Sequence, residues 1–453
     1  MKKLLLSSLI VLAGSLPPVF AAQQLQQDPV ETASATLSKT LSANQAEQNQ
    51  LMQMRAQQLA LHRSGLETPA PAPAGTSAAA QPLAQTAPVI AEALLSPELA
   101  WLAGQSNPAV TGFTPVAGRE GLLVSYTIPP ADGLAFLRGR SWTYDNAAAS
   151  IAFLLQGQPD AARRVLAALR GLQAADGSLG FSYQVDSTFV DPMVRTGTLA
   201  WVGYAMALYQ RQTGDASFQA GAEKIGSYLK GLQSASGSLK GGPSVSWVST
   251  EHNIDAYFFF RELYRVTGQS SYSVTATQIK NSLLADHWTG SVSSGHFLQG
   301  INDPTPALDA NSWGSLFLSA VGRTAQAKQA LKYAESTFQN TQKVPGTSVR
   351  ITGYSPDSAK KTVWVEGTAG VAAAYQRTGQ ASKANSIQSE INDLQKAWQS
   401  LGNASGALPY ASPRYVNPDG DTLANLCSVV ATAWDQITRQ ILGNGSSRFW
   451  DAD

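Results

Sequence analysis

The sequence predicts an all-α fold, an (α/α)6 toroid of helical hairpins preceded by a disordered or helical N-terminal extension. Three observations carry that expectation. Apolar residues recur at helical spacing in 144–156, 160–173, 196–212, 217–233, 252–266, 271–285, 310–321, 325–339, 366–377, 382–401 and 423–441. The gaps alternate between tight turns rich in breakers, such as Gly157-Gln158-Pro159 and Thr213-Gly214-Asp215, and long loops with strand-like pieces. Two hairpins also share wording, Leu169-Arg-Gly-Leu-Gln173 with Asp176-Gly-Ser-Leu-Gly180 and Leu229-Lys-Gly-Leu-Gln233 with Gly237-Ser-Leu, offset by 60 residues (169 to 229).

Taken in order, residues 1–22 read as a signal peptide. Lys2 and Lys3 precede an apolar stretch from Leu4 to Leu16 that is too short to span a bilayer, and Val19-Phe20-Ala21 places the cut after Ala21 or Ala22. The mature chain is therefore expected to be exported, periplasmic or secreted, with no membrane span after signal cleavage. Residues 23–66 form a Gln/Ala-rich polar segment without an aromatic residue, helical at most around Gln45 to His62 and unable to bury a core alone. A Pro/Ala linker over 67–90 follows, and the toroid domain occupies 91–453. Five complete hairpins and the 423–441 helix leave one partner missing, and a helix near Ser96 to Ala103 supplies it. That pairing closes a ring of six; an open superhelix is the alternative.

Composition excludes several functions. The formal charge is +1, from 32 basic and 31 acidic residues, so there is no electrostatic footprint for nucleic acid or anionic membrane. The single cysteine, Cys427, lies in an apolar pattern that reads as helical, which rules out an internal disulfide or a cysteine metal site and marks a buried thiol. There is no Walker loop, Rossmann fingerprint, nucleophile elbow or His-Glu-x-x-His, so no cofactor and no metal is expected. Asn417-Pro-Asp419-Gly-Asp421 reads as a turn and helix cap rather than a calcium loop.

In a ring of hairpins the inner helices start around one mouth, where residues repeated at those starts converge. The starts read Trp142-Thr-Tyr144-Asp145-Asn146, Asp191-Pro-Met-Val-Arg195-Thr-Gly197, Thr250-Glu251-His252-Asn253-Ile-Asp255, Leu308-Asp309-Ala-Asn311-Ser-Trp313, Trp364-Val-Glu366-Gly-Thr368 and Asp419-Gly-Asp421-Thr. Each brings a carboxylate. Helix capping accounts for Asp191 and Asp421. It accounts less well for Glu366 or for Glu251 and Asp255, which are four apart and share a helical face. Carboxylates this close beside aromatic walls push one another's pKa upward, as a general acid requires. The candidate catalytic residues are Glu251, Asp145, Glu366, Asp255 and Asp309. Glu251 is read as acid, Asp145 or Glu366 as base, and Asp255 or Asp309 as orienting water or tuning pKa. Trp142, Tyr144, Trp247, Trp313 and Trp364 are candidates for stacking on sugar rings, and Arg195 and His252 for binding hydroxyls or a uronate.

These motifs, together with the hairpins over about 95–442, make the chain resemble the six-hairpin, glycosidase-like (α/α)6-toroid superfamily. The resemblance implies a substrate funnel at the mouth and hydrolysis by paired carboxylates, often with inversion, although the superfamily also holds epimerases and lyases. The Gln173 and Asp176-Gly-Ser178 wording is similar to the repeat of terpenoid cyclases and other α-toroids, which implies a stiffening role only; the Asp-rich protonating motif of those cyclases is absent. The function expected from the sequence is an exported carbohydrate-active enzyme, a glycoside hydrolase acting on a poly- or oligosaccharide. The alternative is a non-catalytic polysaccharide-binding or scaffold protein of an envelope assembly, with the N-terminal segment contacting an envelope protein partner.

Overall fold

The computed structural model describes residues 95–418, 420–443 and 447–452; the signal peptide, polar segment and linker read in 1–22, 23–66 and 67–90 lie outside the described residues. Twelve helices longer than one turn are present among those described: α1 (Pro97–Gly104), α2 (Thr143–Leu155), α3 (Pro159–Leu172), α4 (Thr196–Thr213), α5 (Gln219–Lys230), α6 (Thr250–Thr267), α7 (Ser270–Asp286), α8 (Leu308–Ala320), α9 (Thr324–Phe338), α10 (Val365–Arg377), α11 (Ala381–Ser400) and α12 (Val429–Gly443). The even-numbered helices form an inner ring, each packing on the next, and α12 packs back onto α2. That last contact closes the circle and excludes an open superhelix. The odd-numbered helices lie outside, with α1 against α12.

Sequence dictates the layers. Inner helices are enclosed on all sides, so α4 is buried from Thr196 through Tyr209. Outer helices carry one apolar stripe; α3 buries Ala162, Val165, Leu166, Ala168 and Leu169 and turns its charges outward.

The mouth is tied by a circle of backbone bonds. The first N–H of each inner helix donates to a carbonyl of the next loop round the ring: Thr143 to Phe181 (3.1 Å), Thr196 to Gly241 (3.0 Å), Thr250 to Gln299 (2.9 Å), Leu308 to Pro356 (3.1 Å), Val365 to Tyr410 (3.1 Å) and, at the closure, Val429 to Ser125 (2.9 Å). Short antiparallel pairs reinforce the circle, notably Tyr126–Thr127 with Cys427–Ser428. Amides that would otherwise lack partners at these helix starts are thus partly satisfied by neighbouring loops.

The second bond set is made by side chains. Asn253 Oδ1 accepts from Leu239 N (2.7 Å) and Asn311 Oδ1 from Phe297 N (2.9 Å), while Asn146 receives Leu123 N (2.9 Å). Thr368 Oγ1 accepts from Tyr354 N (3.0 Å) and Thr432 Oγ1 from Leu408 N (3.1 Å). Each anchors the loop that precedes its own helix, which explains why the motifs share an Asn or Thr.

Outer helices are locked differently. Gln173 Nε2 donates to Gly177 O (3.1 Å) and to Gly221 O (3.0 Å) on α5, and Gln233 Nε2 donates to Gly237 O (2.8 Å). Gly177 has φ +99°, and a Cβ there would lie 2.4 Å from Lys224 O. Gly177→Ala therefore meets both a left-handed backbone and another helix's main chain. It should lower unfolding stability by more than about 1 kcal/mol in urea titration; an unchanged midpoint would show that this turn is not a brace.

Some expectations are corrected. The last inner helix begins at Val429 rather than 423, because Thr422–Leu423 and Cys427–Ser428 pair as strands. Cys427 is a buried strand thiol receiving Trp398 Nε1 at 3.3 Å, not a helix residue. Asp191 lies in the strand Val190–Asp191 and accepts from Met193 N (3.1 Å), while Asp421 sits in a turn, its N–H bonded to Asn417 Oδ1 (2.7 Å), so neither caps an inner helix.

At the end opposite the mouth, residues 447–452 form an aromatic floor. Trp450 stacks on Phe258 (4.5 Å between centroids) and on Phe449 (4.7 Å), below Trp201, Trp313 and Trp434. Arginines from the last turns of inner helices hold the segment. Arg377 donates to Ser447 O and Phe449 O (2.9 and 2.8 Å), and Asp451 pairs with Arg211 (3.0 Å) and Arg265 (2.5 Å).

Candidate active site

The Asn/Thr anchors set a common register, and the residue two positions before each faces the mouth at the same level. Those residues are Tyr144, Glu251, Asp309, Glu366 and, on α12, the apolar Val430. Two positions after the anchors, one turn further in, come Ala148, Asp255, Trp313, Gly370 and Trp434. The sequence thus builds two tiers, mostly polar above and, below, two tryptophans and Asp255 among small residues.

Capping does not explain the acids. No side chain caps the helices that start after Trp142, Ala307 or Trp364, and α6 is capped by Ser249, whose Oγ accepts from His252 N at 3.3 Å. The carboxyl groups of Asp145, Glu251, Asp255, Asp309 and Glu366 instead act on one another. Among the described residues, no lysine or arginine forms an ion pair with any of the five. Clustered acids without a counter-ion hold protons to higher pH, titrating as a group.

Within the cluster the members differ. Asp145, Asp255 and Glu366 are buried, whereas Glu251 and Asp309 are half-buried. Burial pushes the Glu251 carboxyl well above the usual range, and the charges of Asp309, Asp255 and Glu366 add to it. Glu251 and Asp309 share a hydrogen bond. Asp309 is raised by burial, opposed by the Ala310 N–H (2.7 Å) and by Glu251. Glu251 and Asp309 therefore titrate as a pair that keeps a proton to higher pH than a lone carboxyl would.

Burial raises Asp145 from 3.8 to about 7, opposed by a hydrogen bond from Ser125, and leaves its Oδ2 without a partner. Glu366 is raised from 4.5 to about 8 by burial, which a hydrogen bond from Tyr144 opposes. Asp255 is pushed well up by burial and by Asp309 and Glu366, with the Trp201 indole opposing. Gly197 makes room for this face: a Cβ there would lie 2.5 Å from His252 Cδ2 and 3.0 Å from Asp255 Oδ2.

The sequence-predicted binding residues separate into two groups. Trp142, Tyr144, Arg195, Trp247 and His252 are partly exposed near the mouth. Arg195 lies over the Trp247 ring at 5.5 Å, and Trp247 lies 5.5 Å from the His252 ring. Burial lowers His252 to about 3, with Arg195 adding to the effect, so it is a neutral donor and acceptor; burial lowers Arg195 to about 10. Trp313, by contrast, is 1% exposed and stacks on Trp434 at 5.2 Å, and Trp364 is 6% exposed. Neither ring has a face open to a sugar. Tyr126 and Tyr410 were not foreseen. Both are half-buried, Tyr126 in the short strand Tyr126–Thr127 and Tyr410 in a loop, close enough to Asp145 and Glu366 for those charges to raise their hydroxyl pKa, after burial as the main cause. Neither position belongs to a helical period, and for Tyr126 it is the strand register against Ser428 that brings it here.

The cluster sets a pH dependence. Above about pH 4 the unfolded chain loses protons that folded Asp145 and Glu366 keep, so their effect is a stability that falls with rising pH until about 7 and about 8. His252 acts in the opposite sense between about 3 and 6.5, and offsets this over that range. Above pH 6.5 the carboxyl effect is unopposed, at roughly 1.4 kcal/mol per pH unit for each group still titrating. The thermal midpoint should drop by several degrees from pH 6.5 to 8.5, and Asp145→Asn should flatten the drop. A midpoint that rises over this interval would contradict the protonated cluster.

No protein-family model and no curated protein matches this chain. Solved structures do. A wild-type glycosidase aligns with TM-score 0.51 at 14% identity, covering 79% of this chain and 99% of its own. A glycoside hydrolase family 76 mannosidase from Bacteroides thetaiotaomicron aligns at 0.51 and 11% identity, covering 77% and 100%. The fold is an (α/α)6 toroid, the architecture these glycosidases share. A rhamnosidase from Klebsiella oxytoca with rhamnose bound aligns at 0.50 and 14% identity, over 76% of this chain and 64% of that one. At such identities the likeness is one of architecture, and the chemistry of this toroid has to be argued from its own mouth.

Proposed function

We propose that this chain is an exported glycoside hydrolase acting on a poly- or oligosaccharide. The observation that carries the reading is the half-buried Glu251 set beside Asp309 at the mouth of a closed ring, its carboxyl pushed well up by burial and by the neighbouring acids. Glu251 would protonate the glycosidic oxygen as the leaving group departs. Glu366, at the equivalent register on α10, would take a proton from the water that attacks the anomeric carbon. Asp309 keeps the acid loaded; Asp145 and Asp255 tune the field and order water. Trp142, Tyr126 and Tyr410 offer ring faces and edges to a sugar, with Arg195, Trp247 and His252 along one side of the mouth. Glycosidases of the same architecture support a carbohydrate substrate, and the N-terminal signature supports export, where such polymers are met.

The test is to assay purified protein against a panel of neutral and uronate-containing glycans for new reducing ends, and to measure glycan binding in parallel. Hydrolysis of one glycan class supports the reading. Binding without any turnover would favour a polysaccharide-binding module instead.

A further inference from the structure

The upper and lower tiers are joined by one hydrogen-bonded chain. Trp434, fully buried, donates its indole N–H to Tyr144 Oη at 2.8 Å. Tyr144 Oη in turn donates to Glu366 Oε1. An indole can only donate, so Trp434 fills the acceptor side of the phenol oxygen. The phenol proton is thereby aimed at Glu366.

We infer that Tyr144 and Trp434 are positioning residues that commit Glu366 to the role of base, by holding Oε1 as a permanent acceptor and leaving Oε2 as the oxygen that takes the proton from water. The inference rests on the reading of the site as a hydrolase. Its geometry is independent of substrate. Tyr144 is fixed edge-on against Trp201 (5.0 Å), and Trp434 is clamped by Trp313 (5.2 Å, 6° between planes) and Trp201 (5.5 Å). Neither ring can swing away without opening the aromatic tier. Trp450 lies 6.2 Å from Trp434 and supports it from the floor. A donor held this rigidly lowers the cost of ionising a buried carboxyl without adding a cation, which would itself attract an acidic sugar or pair with Asp309.

Tyr144→Phe removes the donor and keeps the ring. It should lower kcat at least 10-fold with KM within about threefold, and move the acidic limb of the kcat profile upward by about one pH unit. Trp434→Phe should act in the same direction and more weakly. Carboxyl infrared difference spectra, with Glu366→Gln as the blank, give a second readout that needs no turnover: the Glu366 band should titrate at higher pH in Tyr144→Phe. If Tyr144→Phe shifts neither the limb nor the band, the positioning role is wrong, whatever happens to rate or stability. If no glycan is hydrolysed by the unmodified protein yet the band still shifts, the hydrolase reading fails and the Tyr144–Glu366 linkage stands.

Discussion

Glu251→Gln should lower kcat by about three orders of magnitude on a natural glycan, within the range that loss of a general acid produces, while the protein still binds sugar. The variant suits the question because the amide preserves shape and an N–H that Asp309 can accept, so the Glu251–Asp309 contact is kept and only the transferable proton is lost. Stability should hold or rise, since a group that ionises at high pH leaves a crowded acidic cluster. A substrate with a leaving group that needs no protonation, such as a nitrophenyl glycoside, should recover much of the lost rate. Asp309→Asn takes away the charge that keeps the proton on Glu251, so it should cost less and shift the alkaline limb downward. Full activity of Glu251→Gln on the natural glycan would remove it from the acid role, and equal losses on both substrate types would make it a structural or binding residue.

Much of this was legible because helical periodicity and ring register are local properties repeated many times. Ten of the eleven apolar segments coincide with helices, from α2 to α11, because each combines a sustained apolar period with a breaker at its turn. The eleventh failed where Leu423 to Val430 is apolar without clear period, which suits a strand as well as a helix; pairing with Tyr126–Thr127 decided it. The five carboxylates could be gathered in advance since each stands near an inner-helix start. Their environment could not be read. Whether Trp313 lines the mouth or the axis depends on a shift of one turn, and only the Asn311 bond to Phe297 fixes that turn. Asp191 and Asp421 misled for a related reason: loops here end in short strands, so an acid before a helix need not touch it. The aromatic floor escaped notice altogether, because a segment as short as 447–452 has no period and its arginine partners are spread over three helices.

Removing the chain from Ser447 onward should be the most destabilising change of all, and single substitutions divide the effect. Trp450 is 3% exposed and touches Phe258, Phe449, Trp201, Trp313 and Trp434, so Trp450→Ala leaves a cavity on the axis worth about 3–5 kcal/mol. Asp451→Asn works through charge instead. It leaves Arg211 and Arg265 paired with Glu262 and takes the Asp451 charge from Arg261, and the side chains involved are roughly a quarter exposed or less. Partial solvent screening puts that loss at about 1–3 kcal/mol, below the figure for a fully buried pair. Its pH signature separates it from the cavity. Arg265 and Arg211 hold the Asp451 carboxyl below the usual range, against burial, so its contribution is present above pH 4 and disappears as the pH falls. Trp450→Ala should therefore weaken the protein equally at pH 4 and pH 7, whereas Asp451→Asn should weaken it at pH 7 and much less near pH 3. Because the floor underlies Trp434, and through it Tyr144 and Glu366, Trp450→Ala should also slow turnover under conditions where it remains folded. A truncated chain that unfolds at the same urea concentration as the full chain would mean that the ring's aromatic tier stands without its floor.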